Sequence, residues 1–133
     1  MSSPPASTRP AATEPLLVAC LCAAWCRTCD AYRDTLEVVR EAIELSHPGA
    51  VRFTWVDVED ESALVGDLDI EDFPTVLVAR GDTVLFFGPL MPHAQTLDRL
   101  VRAALDGTRA ADPAALAPDV LALPRRLAGH EAI

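Results

Sequence analysis

The chain reads as an α/β domain with a central mixed four-stranded sheet flanked by helices. Three observations predict this. An unbroken apolar run, Leu16 to Cys22, has strand length and suits a strand buried on both faces. The hydrophobic period then changes to that of a helix between Asp30 and Ser46. A β-branched and aromatic stretch, Val51 to Val58, follows as a second strand. Strand, helix and strand at these lengths make a right-handed parallel β-α-β unit.

Each element has its own justification. Residues 1–15, rich in Ser, Pro, Ala and Thr, read as a flexible tail. In the first helix Tyr32, Leu36, Val39 and Ile43 form an apolar stripe, with Ala31, Thr35, Val38, Ala42 and Leu45 beside it. Asp30, Arg33, Asp34, Glu37, Arg40, Glu41 and Glu44 lie opposite. His47-Pro48-Gly49 stops that helix. Asp60-Glu61-Ser62 can start a short helix over Ala63 to Leu68. Phe73-Pro74-Thr75 opens a third strand, Thr75 to Arg80. Gly81-Asp82, with Gly first, suits a type II′ hairpin to an antiparallel fourth strand, Thr83 to Phe87. Gly88-Pro89 ends it, and Pro92 can occupy the first turn of a last helix with Leu97, Leu100, Val101, Ala104 and Leu105 inward. The domain therefore spans residues 16–106. Residues 107–133 form an Ala- and Pro-rich, flexible C-terminal extension. In it Leu116, Val120, Leu123 and Leu127 keep a helical spacing that Pro118 and Pro124 interrupt, which allows weak packing on the domain or on a partner.

A chain of 133 residues suffices for one domain with a real core. No apolar run is long enough to span a bilayer. The net charge of −9 argues against nucleic acid or an anionic membrane as partner, and suits basic or neutral protein clients. The first ten residues lack the apolar core of a secretory signal, so a cytoplasmic location is expected. All four cysteines, Cys20, Cys22, Cys26 and Cys29, fall in one ten-residue window, whereas a secreted disulfide scaffold spreads them along the chain.

The chemistry is expected at Trp25-Cys26-Arg27-Thr28-Cys29, where a strand feeds two cysteines onto a helix start. Unpaired amides and the helix dipole favour negative charge there, and the thiolate is the form that attacks a disulfide. Cys26 is assigned as nucleophile. Cys29, within one turn, would release the product by attacking Cys26. Arg27 adds positive charge beside the nucleophile. Cys20 and Cys22, two apart on a strand, share one face. They read as small buried hydrophobes, or Cys20 sits beneath Cys29 as a third redox sulfur or weak proton relay. Zinc or an iron–sulfur cluster on all four sulfurs is disfavoured, because structural metal sites join two separated pairs and one pair here lies inside an apolar strand. No metal or cofactor is expected. The acidic stretch Asp57 to Asp72 lacks the Gly of a calcium loop and reads as a solvated face, with a bias of the site toward basic clients as the second reading, since part of it precedes Pro74. His93 reads as a surface residue and Trp55 as core.

The order β-α-β-α-β-β-α, with Trp25-Cys26-x-x-Cys29 at the first helix and Phe73-Pro74-Thr75 opening the third strand, resembles the thioredoxin family. The resemblance covers about residues 16–106. It implies the thioredoxin fold and a cis bond before Pro74 beside the two sulfurs. It also implies that backbone groups of Phe73 pair with an extended substrate, that Pro74 keeps metal off the cysteines, and that Trp25 shields the site. The chain departs from the family at several points. Arg27-Thr28 replaces Gly-Pro between the cysteines, and Cys20 stands where thioredoxins carry a buried Asp. The Lys that partners that Asp falls near Trp55, and residues 1–15 offer no counterpart of the family's first strand and helix. Two function classes follow. One is a monomeric dithiol–disulfide oxidoreductase acting on protein disulfides, with a reductase as electron donor. The other is a non-catalytic binding or chaperone-like module on the same fold.

Overall fold

The structure, a computed structural model of the chain, describes residues 15–23, 26–66, 74–107, 109–130 and 132–133. The elements run β1 (Leu16–Cys22), α1 (Arg27–Ser46), β2 (Val51–Asp57), α2 (Ser62–Val65), β3 (Thr75–Arg80), β4 (Thr83–Pro89) and α3 (Ala94–Leu105). A 3₁₀ turn (Pro113–Ala115) and α4 (Pro118–Arg126) follow. The sheet order is β2-β1-β3-β4. β1 pairs parallel with β2 and antiparallel with β3, and β3 pairs antiparallel with β4. The mixed four-stranded sheet is the one expected. The hairpin turn is also as expected: Gly81 has φ +60° and no described non-Gly residue has positive φ, which fits type II′ and not type I′.

β1 lies in the interior of the sheet, and all seven of its residues are buried. Side chains alternate across a strand, so the run divides between two cores. Leu16, Val18, Cys20 and Cys22 face Tyr32, Leu36, Val39 and Ile43 of α1, with Leu97, Val101 and Ala104 of α3 completing that layer. Leu17, Ala19 and Leu21 face the other way, with Leu77 and Ala79 of β3, against Val65 of α2 and Val120, Leu123 and Leu127.

That second layer corrects one expectation. The segment from residue 107 on is not a flexible extension over its helical part: α4 lies against the sheet, with Val120 3 % exposed and Leu123 and Leu127 fully buried. The reason is that α1 and α3 can cover only one face of a strand that is apolar on both. Pro118 sits in the first turn, where a missing N–H costs nothing. Pro124 is buried near the other end of this nine-residue helix. Arg52 of β2 ties the segment down, donating from Nη2 to the Leu127 carbonyl (2.9 Å) and from Nη1 to the His130 carbonyl (2.7 Å). Beyond it Ala132 bridges to Thr54, and the Ile133 amide donates to the Phe53 carbonyl at 2.9 Å, both on the free edge of β2.

Smaller differences concern helix starts. α3 begins at Ala94 with His93 as N-cap, so Pro92 precedes the helix instead of opening it. α2 ends at Val65, and residues 67–73 lie outside the described part of the chain. Among the described residues no helix is long and apolar enough to cross a membrane.

Candidate redox site

The site is where β1 hands the chain to α1. Cys22 is the last residue of β1 and Cys26 is the N-cap of α1. The Cys26 amide donates to the Ala23 carbonyl at 3.0 Å. The Cys26 carbonyl accepts from the Asp30 amide at 3.2 Å as the helix starts. Cys26 has extended backbone geometry, and its side chain makes no capping bond. It is half-buried and packs against the core layer that holds Cys20, Cys22 and Cys29. Arg27 and Thr28 are exposed on the first turn, and Cys29 points inward, 1 % exposed.

A disulfide joins Cys22 to Cys29, with Cα atoms 5.8 Å apart. Cys26 is therefore a free thiol in this state, as is Cys20. The Cys20 Sγ lies 3.6 Å from the Cys22 Sγ. Complete burial of Cys20 pushes its thiol well above the ordinary range, with the positive charge of Arg33 opposing in part. Burial likewise raises the Tyr32 phenol, and nearby Cys20 adds to the rise.

The sequence pairs Cys26 with Cys29 and leaves Cys22 a small buried hydrophobe. The fold places Cys20, Cys22 and Cys29 in one core layer with Cys26 packed against it, and bonds Cys29 to Cys22. The reason for the Cys22 pairing appears only once the fold is known. Even-numbered residues of β1 face α1, Cys22 is the last of them, and Cys29 lies one turn into that helix.

Pro74 is buried at the same end of the sheet. β1 and β3 pair with Leu21 opposite Thr75, so one residue further along that register Pro74 stands level with Cys22. Its carbonyl accepts from the Leu90 amide at 3.2 Å. Trp25 and Phe73 lie outside the described residues, and with them the peptide bond before Pro74. Trp55, beside Cys20 in the β1–β2 register, is half-buried, and the Arg33 guanidinium lies over its ring, 4.3 Å from the centroid. Glu59 and Asp60, in the acidic stretch, are exposed, and Asp57 Oδ1 accepts from both their amides. His93 is exposed, as expected.

Comparison with known proteins agrees with this architecture. The family model described as Thioredoxin matches residues 9–98. No curated protein matches significantly. Among solved structures, chloroplastic thioredoxin z is similar at 26 % identity and TM-score 0.57, over 73 % of this chain and 84 % of that one. Mitochondrial thioredoxin 3 from Saccharomyces cerevisiae, in its oxidized form, is similar at 17 % identity and TM-score 0.56, over 69 % of this chain and 81 % of that one. The zinc-bound form of human ERp44 is similar at 19 % identity and TM-score 0.59, over 68 % of this chain. This chain spans only 27 % of the ERp44 chain. Since the matched family model takes in both the cysteine cluster and the strand opened by Pro74, this chain belongs to the thioredoxin family.

Proposed function

We propose that this protein is a thiol–disulfide oxidoreductase that reduces protein disulfides through Cys26 and Cys29. The observation that carries the reading is the position and state of Cys29. It is a sulfur already able to form a disulfide, one helical turn from the half-buried thiol at the helix N-cap. In the reduced chain the Cys26 thiolate attacks a client disulfide. A Cys26–client bond forms and one client sulfur leaves as thiolate. Cys29, as thiolate, then attacks Cys26, and the second client sulfur leaves. The client has gained two electrons and the chain holds a disulfide. A reductase returns the dithiol.

Trp25, Phe73 and Pro74 form the client-binding surface, and Arg27, Thr28 and Cys20 tune the site. The protein acts as a cytoplasmic monomer, without metal or cofactor, on basic or neutral clients. The exposed carboxylates of Glu59 and Asp60 support that charge preference.

Turnover of a model protein disulfide by wild type and Cys26→Ser tests the reading. Loss of nearly all turnover in Cys26→Ser, with a trapped client adduct in Cys29→Ser, is expected. Full activity in Cys26→Ser overturns it.

One observation favours a second reading. With Cys29 bonded to Cys22, Cys26 is a single half-buried thiol without a resolving partner. A module that holds clients by one mixed disulfide has this form. A stable client adduct without turnover in the wild type would select it.

A further inference from the structure

Neither the family motif nor the proposed reaction uses Cys22, yet it is the residue that holds Cys29. We propose that Cys22 is a third redox-active cysteine, and that Cys29 is a shared sulfur bonded alternately to buried Cys22 and to half-buried Cys26. The inference rests on the oxidoreductase reading above and adds a second oxidised isomer to it.

The geometry supplies every participant. Cys26 and Cys29 are three residues apart at the start of α1, so they share one face of the helix. Cys26 packs against the same layer as Cys22 and Cys29. In the exchange the Cys26 thiolate attacks the Cys29 sulfur. A Cys26–Cys29 bond forms as the Cys22–Cys29 bond breaks, and the electron pair of the broken bond leaves on Cys22. Cys22 then takes up the proton that Cys26 gave up. The chain is neither oxidised nor reduced overall, so no further reagent is needed. Cys20 completes the arrangement. Its sulfur is 3.6 Å from that of Cys22, and burial keeps its proton in place, so its S–H can donate to the departing Cys22 thiolate.

The two isomers differ in what they offer a client. With Cys22–Cys29 closed, Cys26 can attack a client but Cys29 cannot resolve the adduct. With Cys26–Cys29 closed, no thiol remains at the helix N-cap. The buried bond thus lets an oxidised chain capture a client: once a dithiol reductase reduces Cys22–Cys29 and is itself oxidised, the freed Cys29 thiolate attacks Cys26, a Cys26–Cys29 bond forms and the client sulfur leaves as thiolate.

Disulfide mapping tests this directly. The full chain is oxidised with a glutathione buffer, quenched in acid, alkylated, cleaved with pepsin at low pH and read by mass spectrometry without reduction. The wild type is expected to contain both Cys22–Cys29 and Cys26–Cys29 cross-links. Cys26→Ser is expected to keep the first, and Cys22→Ala to lose it while keeping the second. Absence of a Cys22–Cys29 cross-link from both the wild type and Cys26→Ser overturns the proposal. If Cys26–Cys29 alone is found and clients are turned over, the oxidoreductase reading stands without the exchange. If Cys22–Cys29 alone is found in the wild type, the exchange is overturned and Cys22 is a structural partner.

Discussion

The sulfurs of Cys20 and Cys22 lie 3.6 Å apart on the α1-facing side of β1, and neither residue is more than 1 % exposed. One carries a disulfide and the other a thiol that burial holds protonated. The pair therefore ties the redox state of the site to the packing of the strand at the middle of the fold.

The first consequence is a pH dependence of stability. Above about pH 8.5, the ordinary thiol value, the unfolded chain sheds the Cys20 proton while the folded chain keeps it. Unfolding then releases a proton. The stability contribution is whole below that pH and falls by about 1.4 kcal/mol per pH unit as pH rises toward the raised folded value. Tyr32 shifts the same way and adds its own loss above about pH 10. Urea unfolding of wild type and Cys20→Ala between pH 8.5 and 10 measures the difference. The variant should show a shallower alkaline slope, and identical slopes would refute the buried thiol as its source.

The Cys22–Cys29 bond closes a short loop, seven residues apart in sequence. Constraining the unfolded chain over such a loop is worth roughly 2–3 kcal/mol on the chain-entropy estimate. In Cys26→Ser, where the alternative bond cannot form, adding reductant should lower the unfolding free energy by about that amount. The double variant Cys22→Ala/Cys26→Ser should not respond to reductant. An equal response in the two proteins would contradict this assignment.

Tyr32 is 1 % exposed, and its hydroxyl has no hydrogen-bond partner among the described residues. A buried polar group without a partner costs about 1–3 kcal/mol. Tyr32→Phe keeps the ring and removes that cost. The variant should be as stable as wild type or more stable by about 1 kcal/mol. A clear drop in the denaturation midpoint would mean that the hydroxyl is satisfied by a group outside the described part of the chain.

How much of this was legible follows from the residues. The α1 stripe of Tyr32, Leu36, Val39 and Ile43 was plain from its period, and all four are buried. The hairpin at Gly81-Asp82 was plain from turn chemistry. Cys22 was not legible as a partner of Cys29. In Leu16-Leu-Val-Ala-Cys-Leu-Cys22 every residue is apolar, so nothing in the run says which residues face α1. The sulfur pairing also depends on how closely the helix settles on the strand, a distance that spacing alone does not carry. The fate of Leu123 and Leu127 was half legible. Their helical period was visible, but a place to bury them follows only once β1 is apolar on both faces and α1 and α3 are seen to occupy one.

That second face gives the last prediction. Leu123 is fully buried against the sheet, whereas Leu121, two residues earlier on the same helix, is 37 % exposed. Leu123→Ala removes a core side chain and should cost about 2–5 kcal/mol. Leu121→Ala should stay within about 0.5 kcal/mol of wild type, as surface changes do. Arg52→Met separates anchoring from core filling. It keeps a long apolar stem but deletes the two bonds to the Leu127 and His130 carbonyls, leaving both acceptors at the sheet edge without that donor. A loss of roughly 1–3 kcal/mol is expected, together with faster amide exchange confined to residues 118–133. Equal costs for Leu121→Ala and Leu123→Ala would mean that α4 does not use the face it is seen to cover. Amide exchange in Arg52→Met that quickens throughout β2 instead of in the C-terminal segment would assign Arg52 to the sheet and not to the clamp.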